Sequence, residues 1–359
     1  YGKNQKKVMS DEGMIPIYGT GGLMGYATEA LYSQPSVLIG RKGSIGKVKY
    51  VEHPFWTVDT LFYTIVNTEI VIPKYLYYLM SQLDLNIYNE GTTIPSLRTE
   101  TLNRLEFQVP SLKEQELVLA YIDPLSEKIE LNNKINKNLL QQALAIYKAW
   151  FCDYMLSDGT LPESWHITTI DALSSLVTRG ITPKYDDSSN QVVLNQKCIR
   201  DHTIDVSLAR RHLPKKVNEK WISKGDLLIN STGTGTLGRV AQVWFDANNM
   251  TVDSHVTIVR PKAQILQSYI GFWGLSHESE IEAQHTGSTG QTELPRDRVK
   301  AMELPLPDED TLSKFNELVI PMTNTVISNQ EENAQLSQLR DTLLPKLMSG
   351  EIDVSKLKL

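Results

Sequence analysis

The chain repeats itself, and that constrains its architecture more than any other feature. Gly43-Ser-Ile-Gly-Lys-Val48 reads against Gly235-Thr-Leu-Gly-Arg-Val240, inside the longer match of Val37–Val48 to Leu227–Val240. Thr57-Val-Asp59 then matches Thr251-Val-Asp253, and Gly91–Arg98 matches Gly287–Arg296. Leu105-Glu-Phe-Gln-Val-Pro110 matches Met302-Glu-Leu-Pro-Leu-Pro307. One such match arises easily by chance; four in the same order do not. A period this long means duplicated domains and not a solenoid.

Four blocks follow: 1–110, 111–160, 161–307 and 308–359. The first and third are mixed and β-rich. Val37–Ile39, Phe62–Val66, Leu227–Ile229 and Val256–Val259 are short β-branched or aromatic runs bounded by turn residues. Tyr75–Leu83 and Leu266–Leu275 are expected as single helices. Pro110 and Pro307 punctuate the ends of these blocks. The other two blocks are helical. Lys113–Tyr121 and Thr311–Val319 are short amphipathic stretches, each followed by a proline, Pro124 or Pro321. Longer helices are expected over Leu125–Phe151 and Met322–Met348. The fold class is therefore α+β: two recognition-sized domains separated by two long antiparallel helices, with pseudo-two-fold repetition.

In the first long helix Leu125, Ile129, Asn132, Asn136 and Leu139 step 4-3-4-3. Met322, Val326, Asn329, Asn333 and Leu336 do the same in the second. This is coiled-coil seam spacing, where asparagine costs stability and fixes register. Alternatively the asparagines face solvent, and Ile135 and Leu140 carry the seam.

Charge follows the same blocks. The net charge is -6, which taken alone argues against nucleic acid. Yet residues 1–110 carry 10 Lys+Arg and 10 Asp+Glu, and residues 161–306 carry 16 of each. All excess acid lies in the helical blocks. The neutral blocks are free to present a basic face.

Signatures of catalysis are absent. There is no P-loop, and Gly19–Gly25 and Gly233–Gly238 read as β turns, since neither opens a helix in a βαβ unit. The seven histidines are scattered, so no nucleophile–base constellation has support. His255 reads as a packing or DNA-facing residue. Cys152 and Cys198 make no disulfide framework or metal-ligand spacing, and Cys152, beside Phe151, is expected to be buried. A cytoplasmic setting is the default. No apolar run approaches a membrane span, and no leader is visible. The residues describe a binder.

The order repeat–helix–repeat–helix resembles the specificity subunits of type I restriction-modification systems. The phrases that carry the resemblance are Ile15-Pro-Ile-Tyr-Gly19, Leu38–Ser44, Gly91–Leu97 and Val109-Pro-Ser-Leu-Lys-Glu-Gln115, with Leu161-Pro-Glu-Ser-Trp165 and Leu344–Ile352. It spans essentially the whole chain. It implies a non-catalytic subunit with two target-recognition domains, each reading half of a bipartite, asymmetric site in double-stranded DNA. Two methyltransferase subunits would dock on the helices and restriction subunits would join them. S-adenosylmethionine, Mg and ATP would belong to those partners, with none bound by this chain. The first block lacks a counterpart of Leu161–Ile170 and Arg179–Pro183, so roughly two dozen further residues are expected ahead of Tyr1.

Base-edge readers need forked or short polar groups on exposed loops. In the first domain the candidates are Tyr18, Thr20, Arg41, Lys42, Ser44, Lys47, Thr92, Thr93, Ser96 and Arg98. In the second they are Ser231, Thr232, Thr234, Thr236, Arg239, Ser288, Thr289, Gln291 and Arg296. Another loop group adds Arg179, Thr182, Lys184, Asn195, Lys197, Arg210 and Arg211. Most would hold phosphates and few would read bases. Methyltransferase docking is expected on Lys113–Tyr121, Tyr147–Tyr154, Thr311–Val319 and Leu344–Ile352. The aromatic group Tyr147, Trp150, Phe151 and Tyr154 either serves that docking or packs against the chain's own second helix. Two other readings stay open: a scaffold or decoy that binds the methyltransferase without reading sequence, and a self-contained DNA-modifying enzyme.

Overall fold

A computed structural model describes residues 1–213, 217–287 and 292–356. It divides into two compact units, residues 1–130 with 333–359, and residues 131–332. Both long helices pass from one unit into the other.

In the first unit β1 (Ile15–Gly19) pairs antiparallel with β2 (Gly22–Ala27). A second sheet contains β3 (Ser36–Gly40) and β4 (Val48–Val51). Next, β5 (Trp56–Thr57) runs parallel to β1, and β6 (Leu61–Tyr63) lies antiparallel to β3. The sheet orders are thus β2-β1-β5 and β4-β3-β6. Helix α1 (Pro73–Ser81) starts on a proline, whose fixed φ suits the first helical position. Short α2 (Thr99–Asn103) precedes α3 (Leu112–Tyr147).

The second unit repeats this plan with additions. It opens with β7 (His166–Thr169), α4 (Ile170–Leu173) and β8 (Ser174–Arg179). Then come β9 (Gln191–Leu194), the small ribbon of β10 (Ile199–Arg200) and β11 (Thr203–Ile204), and β12 (Arg210–His212). Strands β13 (Leu227–Asn230), β14 (Val240–Gln242), β15 (Met250–Val252) and β16 (Val256–Pro261) follow. The unit ends with α5 (Gln267–Ser276), α6 (Glu278–Ala283), α7 (Arg296–Lys300), β17 (Glu303–Leu306) and α8 (Glu309–Met348). Here β12-β9-β15 has the pairing directions of β2-β1-β5, with β15 parallel to β9. Sheet β14-β13-β16-β8 matches β4-β3-β6 with one strand more. The architecture is α+β.

The helices depart from expectation in one respect: neither stops at its proline. Helix α3 runs 36 residues through Pro124 and α8 runs 40 through Pro321. A proline inside a helix removes one hydrogen bond and costs about 3 kcal/mol. Both prolines face solvent, while buried Val118 and Ile122 precede Pro124 and buried Val319 and Val326 flank Pro321. Apolar burial on the inner face holds each helix together across the gap. The end of α3 passes into a π turn, Lys148–Cys152.

Within the second unit Asn132 is fully buried and donates from Nδ2 to Glu332 Oε2 at 2.7 Å. Asn329 Nδ2 donates to Asn136 Oδ1 at 2.7 Å, so the two helices run antiparallel here. Val326 is buried and Met322, Leu139 and Leu140 are half-buried, whereas Ile135 is exposed. In the first unit Leu125, Ile129, Asn333 and Leu336 are half-buried on the same two helices.

The aromatic group at the end of α3 faces inward. Tyr147 and Phe151 are buried, and the Phe151 ring lies 5.0 Å from Phe315, 4.9 Å from Tyr269 and 5.6 Å from Trp165. Trp150 and Tyr154 pack against the same core, so of the two readings of this aromatic group the chain shows internal packing. In the three other docking candidates several apolar residues are likewise covered, Leu312, Phe315 and Val319 in that core and Val118, Leu344 and Leu347 against Tyr75 and Tyr78, while Leu318 stays exposed. Cys152, the last residue of the π turn, is exposed, contrary to expectation, whereas Phe151 points into the core; Cys198 is buried.

Candidate nucleic-acid interface

Each unit brings together two loops that are distant in sequence, and it does so with the same backbone bond. In the first unit Leu97 N donates to Arg41 O at 2.9 Å, Gly43 N donates to Pro95 O at 2.8 Å, and Lys42 bridges Ser96. In the second, Leu294 N donates to Ser231 O at 2.8 Å and Thr232 bridges Glu293. The Gly-rich turn and the later polar loop thus form one surface in each unit. Left-handed backbone makes the turns possible: φ is +82° at Gly43, +103° at Gly233 and +71° at Gly235.

The first surface is cationic. Lys42, Ser44, Lys47, Thr92, Thr93 and Arg98 are exposed, and Thr20, Arg41 and Ser96 are half-buried. Thr20 joins them, since a Cβ on Gly43 would meet its Oγ1 at 3.9 Å. A cavity of about 300 Å³ opens beside them, lined by Tyr18, Thr20, Ser44, Lys47 and Lys49 among others. Asn89 Oδ1 shapes the later loop by accepting from Gly91 N and Ser96 N, both at 2.9 Å. Arg41 is committed locally, donating to Asp59 O at 2.8 Å with its guanidinium 4.3 Å from the Tyr1 ring centre. Arg98 pairs with Glu90 at 2.9 Å.

The second surface is hydroxyl-rich. Thr234 is exposed, and Thr232, Thr236 and Arg239 are half-buried. Gln196 Nε2 donates to Thr232 O at 2.9 Å, and Thr232 Oγ1 meets His255 Nδ1 at 2.8 Å. Thr182, Lys184, Lys197, Arg210, Arg211 and Arg296 are exposed. Arg210 stacks 3.4 Å from the Tyr185 ring centre, Arg211 donates to Ser189 O at 2.7 Å, and Arg296 reaches Asp297 at 3.3 Å.

Four candidates are placed otherwise than the sequence suggests. Tyr18 is 7% exposed and bonded to His53 Nε2 at 3.3 Å; burial raises its pKa, with Tyr26 adding. Ser231 is fully buried, its Oγ 2.6 Å from Thr257 Oγ1. Arg179 braces the loop, pairing with Glu293 at 2.6 Å and donating to Leu294 O at 2.8 Å. Asn195 caps a 3-10 turn by accepting from Lys197 N at 2.9 Å. These side chains are occupied in shaping the loops. Ser288, Thr289 and Gln291 lie outside the described residues.

Sequence reasoning passed over Lys49, Gln196 and Glu293. Lys49 sits 3.9 Å from the Tyr18 ring centre, and burial lowers its pKa. Glu293 binds Arg179 from a point more than a hundred residues away, and only the preceding repeat match could have flagged it. Among the described residues no cluster of three His, Cys, Asp or Glu is placed to hold a metal, and no helix is long and apolar enough to cross a membrane.

The chain thus holds two copies of one β-rich unit, each presenting a paired-loop surface. Residues 2–141 match the family described as the type I restriction modification DNA specificity domain. Beyond that segment, the likeness to type I specificity subunits extends over most of the chain. The chain is similar to the type I restriction enzyme MjaIX specificity subunit of Methanocaldococcus jannaschii, 24% identical over 351 residues, covering 91% of this chain and 80% of the relative. It is 22% identical over 398 residues to the HindI specificity subunit of Haemophilus influenzae, covering 86% and 84%. The crystal structure of the type I restriction-modification S subunit from M. genitalium shares the fold, with TM-score 0.60 and 17% identity over 96% of this chain and 92% of that one.

Proposed function

We propose that this chain gives a type I restriction-modification complex its DNA sequence preference, each unit reading one half of a bipartite target. The observation that carries this is the repeated loop pairing, Arg41–Leu97 in one unit and Ser231–Leu294 in the other. Equivalent frames bear unlike side chains: Arg41-Lys-Gly-Ser44 against Ser231-Thr-Gly-Thr-Gly-Thr236. Arg and Lys favour guanine edges and phosphates, while threonine offers a short hydroxyl and a methyl. Two different half-sites follow, and hence an asymmetric target.

The chain is proposed to be non-catalytic. Two methyltransferase subunits dock on the outward faces of α3 and α8, where Leu131, Ile135, Leu318, Ile320 and Leu339 are exposed. Restriction subunits join them in the cytoplasm. S-adenosylmethionine, Mg and ATP are used by those partners. The acidic charge lies on the helices, so the partners supply much of the basic surface around the duplex.

The test is methyl transfer from labelled S-adenosylmethionine to duplex DNA by the purified chain, by the adjacent methyltransferase, and by the two together. The reading requires transfer by the mixture alone. Transfer by the chain alone would make it an enzyme. Complex formation with indiscriminate methylation would make it a scaffold.

A further inference from the structure

The edge strands of the two matching sheets carry different chemistry at one and the same position. Thr57 and Thr251 are matched in the sequence repeat, and each lies parallel beside the central strand of its sheet, Thr57 next to Tyr18 and Thr251 next to Val193. On the other side of that strand Tyr18 pairs with Leu23 of β2, and Val193 pairs with Arg210 of β12. Leu23 and Arg210 are therefore equivalent positions, and both are exposed. Phosphate contacts carry no sequence information and serve either half of a target alike. A position that is leucine in one unit and arginine in the other suits the reading of a base.

Arg210 is held for such a task. Its guanidinium carbon lies 3.4 Å from the centre of the Tyr185 ring, the contact of two flat groups laid face to face. The segment that carries Tyr185 is fastened along β12: Leu213 N donates to Lys184 O at 2.8 Å, and Asp186 N donates to Arg211 O at 3.1 Å. Tyr185 itself is 42% exposed, so the pair stands open to a ligand. Stacking occupies the face of a guanidinium and leaves its rim of N–H donors free.

Other arginines on the two surfaces are spent differently. Arg41, Arg98, Arg179, Arg211 and Arg296 each give a donor to an acceptor of the chain itself. Among the described residues no carboxylate or carbonyl takes one from the Arg210 side chain. Strand β9 leads from Val193 into Gln196, whose side chain binds the Thr232 turn. Arg210 thus borders the hydroxyl-rich surface of the second unit.

We propose that Tyr185 is a positioning residue for sequence reading: its ring aims the Arg210 guanidinium at a guanine in the half-site of the second unit. The fork of two N–H donors matches guanine N7 and O6, and no other base shows two acceptors side by side in the major groove. This role rests on the proposed reading of DNA by the chain, and adds the base recognised and the residue that aims the arginine.

The complex of the full chain with its adjacent methyltransferase, bound to a randomised duplex library, tests this. In the native complex one half-site should contain a guanine that Tyr185→Ala relaxes by about tenfold or more, with the other half-site unchanged. Tyr185→Phe, which keeps the ring, should restore the preference. Arg210→Lys, which keeps the charge and loses the fork, should relax the same position. Uniform weakening over all sequences by Tyr185→Ala and Arg210→Lys, as loss of a phosphate contact would give, would overturn the proposal. So would native preference in Arg210→Lys, or Tyr185→Phe behaving as Tyr185→Ala. A split motif that persists unaltered through all three variants overturns this role alone; a native complex without sequence preference overturns the reading of DNA beneath it as well.

Discussion

Asn136 and Asn329 meet across the helix pair, Nδ2 of the second donating to Oδ1 of the first at 2.7 Å. One turn away Asn132 is bonded to Glu332. Polar groups, Asn333 among them, thus interrupt a seam otherwise built from apolar residues, and any slip of one helix past the other would break both bonds.

Replacing one partner should therefore cost more than replacing both. Asn136→Leu leaves the Asn329 amide short of its partner and should lower stability by about 1–3 kcal/mol. The double change to leucine should recover much of that loss and let the helices sample a second register. Thermal unfolding reads the first effect and hydrogen exchange along α3 the second. Equal losses in the single and double variants would show that the pair contributes nothing specific.

Asp308 sets a pH dependence at the start of α8. Its carboxylate accepts from Thr311 N at 2.8 Å, from Trp165 Nε1 at 3.0 Å and from Ser164 Oγ at 3.2 Å. The Thr311 amide is the largest influence. With the smaller help of the Thr311, Trp165 and Ser164 side chains, it holds the pKa down to about 2 against desolvation. The folded value lies below the unfolded value of about 3.9, so the contribution is complete above about pH 4 and fades as pH falls through about 2. Native protein should melt above Asp308→Ala at neutral pH, and the gap should close between about pH 4 and 2. A gap independent of pH would contradict this.

The two loop surfaces should respond differently to substitution in the assembled complex. Lys47→Ala removes an exposed cation from the first surface and should weaken binding across sequences while shallowing its salt dependence. Thr234→Val keeps the shape and removes a hydroxyl. It should relax preference at a position in one half-site by about 1–3 kcal/mol and leave the other half intact. Binding assays over a randomised duplex library distinguish these outcomes.

The repeat, the β-rich blocks and the long helices were legible because each rests on local pattern: glycine turns, short apolar runs and heptad spacing. What was not legible depends on distant residues. The penalty of Pro124 is local, but the burial of Val118 and Ile122 that overrides it is tertiary. Ser231 looks like a loop hydroxyl until Thr257 arrives beside it, and Arg179 looks like a free cation until Glu293 does. Residue type marked the loops; only packing separated the side chains that shape them from those left exposed.

The central claim is that two unlike surfaces read two half-sites. Co-expressing the chain with its adjacent methyltransferase and mapping methylated bases across the host genome tests it most directly. One split motif with different halves and a fixed gap is the expected result, with exchange of residues 161–306 changing one half alone. Random methylation, or a single uninterrupted motif, would contradict it.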